Sequence, residues 1–386
     1  MKTYKILFVF GTRPEAIKMA PLIRIFQQEK EWYETKICVT AQHRSMLDQV
    51  LDFFQQVPDY DLDLMKDNQS LSDITSSCIR ELGRVMADYE PDLVFVQGDT
   101  TTTFAGALTA YYHKSKVAHV EAGMRTWNKF SPFPEEVNRK LVTQLCDFHF
   151  AATAAAAENL RSESITENVF VTGNTVIDAL HLGIKITRQM DEISFFDSFA
   201  DVDFSKKIIL VTGHRRESFG DGVKNICHAI KEIALNRDDV HFVYPVHMNP
   251  NVAKPVKSIL GNIGNISLCE PLPYHNLLWL MNRSFMVLTD SGGIQEEAPS
   301  LGKPVLVMRE VSERMEGVEA GNALLVGTST EKISSAVKLL LNDTAAYNKM
   351  SRAGNPYGDG KASERILSIV SSAFNIPVKT EQPSEV

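Results

Sequence analysis

Residues 289–297 (TDSGGIQEE) carry the residue types of an anion-binding turn. An apolar run at 285–288 precedes them, and helix-forming residues follow the two glycines. A strand, a glycine turn and a helix in this order aim backbone N–H groups at an anion such as a phosphate. Ser291 adds a hydroxyl, and Glu297 places a carboxylate where it can accept both hydroxyls of a ribose. An ordinary strand-to-helix turn has a similar composition, so these residues alone leave nucleotide binding and a plain turn equally open.

Charged residues also follow several other predicted strands, at the point where each strand ends. The carboxyl ends of parallel strands meet at one edge of a sheet, and ligands of open α/β sheets bind there. A random soluble chain would not concentrate charge at these points, although any one cation alone could be an ordinary surface residue. The residues are Arg13 and Lys18 after 5–10, Asp99 after 92–97, Glu121 after 117–120, His214 and Arg215 after 208–211, and His247 after 241–246.

The acidic residues each have a structural alternative. Asp99 precedes four threonines and can be a helix N-cap. Glu121 closes an apolar run, where burial would raise its pKa and suit it to proton transfer, or it forms a salt bridge to Arg125. Glu135 follows the sequence SPFP, and the helix dipole favours acids in a first helical turn whatever their function. His214 lies in a glycine-entered turn with two arginines, which favours an anion site over a core histidine.

The elements that position these residues form two similar α/β halves. Apolar runs alternate with helical patterns in the first, which predicts a parallel, doubly wound sheet over residues 1–175. Residues 191–206 are polar without a clear strand, and the alternation restarts in a second Rossmann-like domain over 200–360. A helix at 361–376 can pack back on the first domain, and the polar tail at 377–386 is predicted to be disordered. Two such domains facing each other would place a ligand in the cleft between them.

The predicted strands are short and mostly continuous in apolar residues, as expected for sheets covered on both faces. The acidic stretch 58–67 is treated as a connection. The strands are 5–10, 36–40, 92–97, 117–121, 148–151 and 169–172 in the first half, and 208–212, 241–246, 266–269, 285–289, 304–308 and 323–326 in the second.

Length and composition exclude several classes of protein. At 386 residues the chain is long enough for two domains, and its net charge of −8 gives no sequence-wide case for binding nucleic acid or an anionic membrane. Five cysteines are scattered with no CxxC pair, which is typical of buried thiols in a reducing compartment. No apolar run approaches the roughly 20 residues of a membrane-spanning helix. These features predict a cytoplasmic enzyme with no membrane or nucleic-acid partner.

Several long motifs in a fixed order resemble those of the bacterial non-hydrolysing UDP-N-acetylglucosamine 2-epimerases. The resemblance covers essentially the whole chain up to about residue 374. The motifs are GTRPEAIK (11–18), QGDTTTT (97–103), HVEAGMR (119–125), GHRRE (213–217), DSGGIQEEAPSLGKP (290–304) and NPYGDG (355–360).

The resemblance implies two Rossmann-like domains of the glycosyltransferase-B type, with the active site in the cleft. It also implies a homodimer that interconverts UDP-GlcNAc and UDP-ManNAc without NAD and without a required metal. The family eliminates UDP to give 2-acetamidoglucal and adds UDP back with the other configuration at C2. Since the proton must return to the opposite face of C2, one acid–base group cannot serve both faces, and the departing diphosphate needs fixed cations and N–H donors.

The family motifs also imply roles for individual residues. Asp99, Glu121 and Glu135 are the acid–base candidates, and which of them removes or returns the proton stays open. His214 is the fourth catalytic candidate, at the diphosphate. The expected substrate contacts are, besides Asp99, Glu121 and His214, Arg13 and Lys18 at the diphosphate or sugar, Ser291, Gly292 and Gly293 at a phosphate, Glu297 at the ribose, Arg314 near the nucleotide, and Leu277 where relatives often carry an aromatic beside the uracil.

Some family members are activated by a second UDP-GlcNAc beside the active site. Gln42, Arg215 and His247 match positions used there, whereas Ser45 and Asn68 replace polar or basic residues of that site.

Three other functions stay open from the sequence: a hydrolysing epimerase that releases free ManNAc and UDP, a UDP-sugar glycosyltransferase of the same fold, and a UDP-sugar sensor without catalysis. Three acidic groups at strand ends argue against the transferase, since transfer with inversion needs one base. The presence of all three also argues against the sensor. Surface polysaccharide or wall polymer synthesis is the expected pathway.

Overall fold

The computed structural model describes residues 2–40, 44–65 and 69–377. These residues form two compact units. The first comprises the described residues up to Leu182 together with those from Gly358 onward, and the second comprises Gly183–Tyr357. The predicted α/β class is confirmed, because each unit contains a parallel sheet whose strands alternate with helices along the chain.

The described strands pair in two parallel sheets. In the first unit they are β1 (Tyr4–Phe10), β2 (Tyr33–Val39), β3 (Tyr60–Asp61), β4 (Leu93–Gln97), β5 (Lys116–Ala122), β6 (Phe148–Ala151) and β7 (Val169–Val171). In the second they are β8 (Lys207–Thr212), β9 (Val240–Pro245), β10 (Ile266–Cys269), β11 (Met286–Thr289), β12 (Val305–Val307) and β13 (Ala323–Leu325). The strand orders are β3-β2-β1-β4-β5-β6-β7 and β10-β9-β8-β11-β12-β13.

Helices follow most of these strands. They are α1 (Arg13–Gln28), α2 (Arg44–Phe53), α3 (Leu71–Tyr89), α4 (Thr101–Tyr112), α5 (Glu135–Leu145), α6 (Ala154–Ser162), α7 (Thr175–Thr187), α8 (Glu192–Ser198), α9 (Asp221–Asn236), α10 (Pro250–Leu260), α11 (Tyr274–Arg283), α12 (Gly292–Glu297), α13 (Met315–Ala320), α14 (Thr330–Asn342), α15 (Thr344–Ser351) and α16 (Ala362–Ala373). The last helix belongs to the first unit, where it packs on α1.

The apolar run of β1 lies at the centre of the first core. Residues 6–10 are fully buried, and the Phe8 ring stacks on Phe95 of β4 with centroids 4.7 Å apart. Phe26 of α1 meets Phe8 edge-on at 5.8 Å. Burying one such ring stabilises the fold by about 2 kcal/mol. This packing fixes β1 beside β4. The strand order of the first sheet reverses at β1 and that of the second sheet at β8. Ligands of such folds bind at these points of reversal.

Two buried histidines lie side by side on adjacent strands of the first sheet. His119 of β5 is in register with His149 of β6, and both are buried. The Nε2 atom of His119 lies 2.7 Å from the carbonyl oxygen of Gly98. Burial lowers the pKa of each imidazole to about 4. Both rings are therefore neutral at physiological pH.

The structure adds a strand and a helix to the predicted elements and moves the start of another helix. Residues 58–67 contain the edge strand β3, so they are more than a connection. Residues 191–206 contain α8, whose Phe195 is buried against Trp279 at 5.2 Å. The helix of the glycine turn begins at Gly292 itself rather than after the two glycines.

Some expectations concern residues outside the described ones. Gln42, Asn68, the side chain of Ser45 and the tail from residue 378 onward belong to this group. Among the residues that are described, no helix combines the length and apolar character needed to cross a membrane.

We predict that His149 makes stability fall in acid. Its pKa is about 4 in the native state, against about 6.5 when unfolded. The unfolded chain therefore binds more protons between these values, and stability decreases as pH falls through this window. When the pH is lowered from 7 to 5, the unaltered chain should lose about 2 kcal/mol more unfolding free energy than His149→Gln. Denaturant titrations at both pH values measure this difference.

His228→Gln is the control, because His228 lies exposed on α9. It should leave the pH dependence of stability unchanged. Equal acid losses in the unaltered chain and in His149→Gln would contradict the prediction.

Candidate functional site

Glu15 joins two loops at the carboxyl edge of the first sheet. Its Oε2 accepts the N–H groups of Gly11 (3.0 Å) and Thr12 (2.8 Å) after β1. Its Oε1 accepts the hydroxyls of Thr100 (2.7 Å) and Thr103 (3.1 Å) after β4. Burial raises the pKa of this carboxyl, while the hydrogen bonds act in the opposite direction. Glu15 was not among the predicted site residues, although its T-x-x-E spacing is the signal of the capping box that it forms with Thr12.

Glu121 is partly buried, and its carboxylate is surrounded by polar side chains that donate to it. The ammonium of Lys18 lies 2.6 Å from both carboxylate oxygens. The Asn174 amide donates to Oε1 at 3.1 Å, and the Gln97 amide donates to Oε2. The Glu121 side chain is 8% exposed. The structure thus brings together Lys18 and Glu121, which the sequence placed after different strands, and adds two amides that the sequence analysis did not name.

The backbone at Glu121 is held in an uncommon conformation. Its φ is 66°, in the left-handed region, and the β5–β6 register shifts between Val120 and Ala122. A non-glycine residue there costs on the order of 1 kcal/mol and persists only where its surroundings fix it. The alternative salt bridge from Glu121 to Arg125 is wrong, because Arg125 pairs with Glu163 at 2.6 Å.

Asp99 is held by a cation from α5. The Arg139 guanidinium donates to its Oδ2 from Nε at 2.8 Å, and Nη2 lies 2.7 Å away. The same guanidinium contacts Glu136 at 3.1 Å. The alternative that Asp99 caps α4 is wrong, because Thr100 is the N-cap and accepts the Thr103 N–H. Asp99 is therefore ion-paired to Arg139 of α5, and its side chain remains 26% exposed.

The two acids that begin α5 have different surroundings. Glu136 is fully buried and accepts the backbone N–H groups of Thr126 and Trp127, each at 3.0 Å. Glu135 has a buried Oε2 with no hydrogen-bond partner among the described residues. Glu136 therefore holds the preceding loop, and Glu135 retains an oxygen that can take a proton or a ligand donor.

In the second unit, Asp290 orients the turn that contains His214. Its Oδ2 accepts the backbone N–H groups of His214 and Arg215, both at 2.8 Å. Nδ1 of His214 lies 3.3 Å from Oδ1, within ion-pair range but outside hydrogen-bonding geometry. Burial lowers the pKa of His214, with Asp290 opposing and Arg215 and His247 adding to the effect. The His247 ring stacks on His214 at 5.7 Å, so the sequence-predicted His214, Arg215 and His247 are neighbours.

The serine-glycine turn is the start of α12. Ser291 is its N-cap without a side-chain capping bond, and Gly292 and Gly293 are its first residues. Backbone N–H groups in a first helical turn have no partner within the helix. The Arg314 guanidinium lies so close to Gly292 that an added Cβ would be 2.9 Å from its Cζ. Arg314 also pairs with Glu296 at 3.0 Å, so the absence of a side chain at residue 292 admits a fixed cation beside the turn.

Glu297 and Tyr274 form a buried pair in the second unit. The Tyr274 hydroxyl donates to Oε1 of Glu297 at 2.9 Å. Leu277 lies half-buried one turn along α11 from Tyr274. Tyr274 is therefore a positioning partner of the carboxylate expected at a ribose.

The predicted site residues thus form two groups, one in each unit. Arg13, Lys18, Asp99, Glu121 and Glu135 belong to the first unit; the second contains His214, Arg215, His247, Leu277, Ser291, Gly292, Gly293, Glu297 and Arg314. Gln42 lies outside the described residues. Within residues 2–40, 44–65 and 69–377, no cluster of three or more His, Cys, Asp or Glu side chains has metal-binding geometry.

Comparisons with known proteins agree with one another. A family model described as UDP-N-acetylglucosamine 2-epimerase matches residues 26–371. The chain is 53% identical to a UDP-N-acetylglucosamine 2-epimerase of Yersinia pestis over 94% of this chain and 97% of the relative. Its fold is similar to the UDP-GlcNAc 2-epimerase of Neisseria meningitidis bound to UDP-GlcNAc (TM-score 0.88, 49% identity, 95% and 100% coverage). It is also similar to S. aureus MnaA in a structure with UDP (TM-score 0.86, 48% identity, 100% of both chains).

The neighbouring acids Glu135 and Glu136 give a matched test of the local geometry. Glu136→Ala would leave two buried N–H groups without an acceptor and remove one partner of Arg139. We expect it to lower the unfolding free energy by about 3 kcal/mol. Glu135→Ala should cost less than about 1 kcal/mol, since its Oε2 makes no hydrogen bond to a described residue. Denaturant titration of both variants measures this contrast, and equal losses would refute it.

Proposed function

The chain belongs to the UDP-N-acetylglucosamine 2-epimerase family and is an epimerase, and from this premise we propose how it inverts C2 of UDP-GlcNAc. The proposed reaction eliminates UDP to give 2-acetamidoglucal and adds UDP back to give UDP-ManNAc, reversibly. The observation that supports it most is the placing of Asp99, Glu121 and Glu135 in one unit, each in a different polar environment. A reaction that takes a proton from one face of C2 and returns it to the other needs more than one such group.

The elimination balances without an oxidant or reductant. A carboxylate takes the proton from C2, and the electron pair of that C–H bond forms the C1=C2 double bond. The electron pair of the C1–O bond leaves with UDP. In the return direction a protonated carboxyl delivers a proton to the other face of C2, and the diphosphate oxygen bonds to C1 again.

The carboxylates of the first unit suit these tasks as a set. Lys18 and the amides of Gln97 and Asn174 fix the oxygens of Glu121. Asp99 keeps its orientation through Arg139. Positioned carboxylates of this kind contribute about 10²- to 10⁴-fold to a proton-transfer step.

The polar groups of the second unit suit the departing nucleotide. Negative charge develops on the diphosphate as the C1–O bond breaks, and preorganised donors lower the barrier to this step. We assign the N–H groups of Gly292 and Gly293, the Ser291 hydroxyl and Arg314 to the phosphates. We also assign His214, whose backbone N–H donates to Asp290, to the negative charge that develops on the diphosphate.

The remaining nucleotide contacts follow from the family motifs. We assign Glu297 to the ribose and Leu277 to the uracil. Arg13 is a further cation for the diphosphate or the sugar. Arg215 and His247 are the described residues that would meet a second, activating UDP-GlcNAc.

The wider setting is part of the proposal. We propose a cytoplasmic homodimer whose UDP-ManNAc feeds surface polysaccharide synthesis. The resemblance of the sequence motifs to the family supports this setting.

Positional isotope exchange tests whether the C1–O bond breaks. UDP-GlcNAc labelled with ¹⁸O between C1 and the β-phosphorus is incubated with the enzyme and followed by ³¹P NMR. Once UDP leaves, the β-phosphate oxygens become equivalent by rotation, so the label should move to non-bridging positions in recovered substrate. Epimerisation with the label still in the bridge would contradict elimination. Release of free ManNAc and UDP as the main products would identify the hydrolysing reaction instead.

Two variants test the acid–base assignment. Asp99→Asn and Glu121→Gln keep the size of each side chain but remove its ability to exchange a proton at neutral pH. Each should lower epimerisation by about 10³-fold and leave UDP affinity, measured by calorimetry, within about threefold. Glu158→Gln, on an exposed side chain of α6, is the control and should retain activity. Normal epimerisation by either site variant would remove that residue from the mechanism.

A further inference from the structure

We infer that Gln97 and Asn174 are positioning residues that orient the Glu121 carboxylate for proton transfer at C2. The inference rests on the proposed function, since it takes Glu121 as an acid–base group. Neither amide was assigned a role by the sequence motifs. Both act through Glu121, so their loss should change the chemical step and the ionisation of Glu121 more than substrate binding.

The two amides contact different oxygens of the same carboxylate. Asn174 donates to Oε1 at 3.1 Å, and Gln97 donates to Oε2. Both side chains are buried, with 3% and 2% exposure. The Lys18 ammonium is equidistant from the two oxygens at 2.6 Å. An ammonium acts as a point charge with rotatable donors, so Lys18 supplies charge, whereas one amide on each oxygen fixes the plane of the carboxylate.

The orientation of the Asn174 amide follows from its other hydrogen bond. Its Oδ1 accepts the backbone N–H of Val176 at 3.0 Å, at the start of α7. The NH₂ end must therefore face Glu121, which is the end that a carboxylate can use. Asn174 thus has a capping role through its oxygen and a separate role toward Glu121 through its nitrogen.

The turn that contains Asn174 is held by the last segment of the first unit. Arg365 of α16 donates to the carbonyl of Thr172 at 3.0 Å. Gly358 lies against the turn, where an added Cβ would be 3.4 Å from the backbone nitrogen of Asn174, and its φ of 140° also favours glycine. The amide is therefore presented from a supported backbone rather than from a loose loop, as positioning within a fraction of an ångström requires.

The backbone of Glu121 explains why such support is needed. Its left-handed φ of 66° places the carboxylate where an ordinary strand residue would not. The surroundings must over-determine that conformation. A donor on each oxygen does so, and the same donors stabilise the ionised form of the carboxylate.

Asn174→Asp separates the two roles of Asn174. The new carboxylate keeps an oxygen for the Val176 N–H, so the cap is preserved, but it no longer donates to Glu121 and adds a like charge beside it. We expect kcat to fall about 10- to 100-fold with KM changed less than about threefold. In the direction of the reaction in which Glu121 takes the C2 proton, the acid limb of the kcat–pH profile should move to higher pH, because the ionised Glu121 loses a donor and gains a like charge beside it.

Gln97→Met is the second variant, because it keeps the side-chain length and removes the donor to Oε2. It should shift the acid limb in the same direction, by less than Asn174→Asp, since it adds no charge. Asn265→Ala is the control: this amide serves the carbonyls of Ala234, Arg237 and Val240 in the second unit. It should lower Tm and leave the pH profile of kcat in place.

Glu121→Gln, assayed in parallel, distinguishes the two ways of failing. If Glu121→Gln is inactive but Asn174→Asp and Gln97→Met keep the kcat and pH profile of the unaltered chain, the positioning inference is overturned and the proposed function stands. If Glu121→Gln is fully active, the acid–base role of Glu121 and the inference fail together. A lower kcat with a displaced acid limb in both amide variants, with Tm retained, supports the inference.

Discussion

The ion pair between Lys18 and Glu121 is the interaction on which the geometry of the first unit depends. Lys18 belongs to α1, which follows β1, and Glu121 to the end of β5; β4 lies between β1 and β5 in the sheet, so the contact at 2.6 Å joins elements of non-adjacent strands. A buried charge pair is tolerated only when further hydrogen bonds satisfy its oxygens. The amides of Gln97 and Asn174 supply these bonds, and together with Lys18 they hold the carboxylate of a residue whose backbone is left-handed.

Both units use the same device to build a loop cluster at the strand ends. A buried carboxylate links the loops at two neighbouring strand ends. Glu15 accepts backbone N–H groups after β1 and threonine hydroxyls after β4, and Asp290, which follows β11, accepts backbone N–H groups from the loop after β8. In each unit the linked strands are adjacent in the sheet. Neither carboxylate needs to touch a substrate. Each fixes the loop on which the proposed catalytic residues lie, which explains why short polar motifs recur at these strand ends.

The sequence predicted what depends on local pattern and missed what depends on which strands are neighbours. Apolar runs predicted the sheets, and the positions of Asp99, Glu121 and His214 at the carboxyl ends of strands were also predicted. Asn174 is 53 positions from Glu121, so no local pattern could join them before the strand order was known.

Long-range contacts account for the other differences as well. α8 was missed because its Phe195 is buried by packing on α11, where it contacts His275 and Trp279. The start of α12 was placed too late because glycine has low helix propensity, whereas here Gly292 admits the Arg314 guanidinium.

The measurement that tests the central claim most directly is proton NMR of the enzyme with UDP-GlcNAc in D₂O, with no cofactor added. Proton exchange at C2 predicts UDP-ManNAc with deuterium at that carbon. UDP-ManNAc formed with its original C2 proton would contradict the acid–base account.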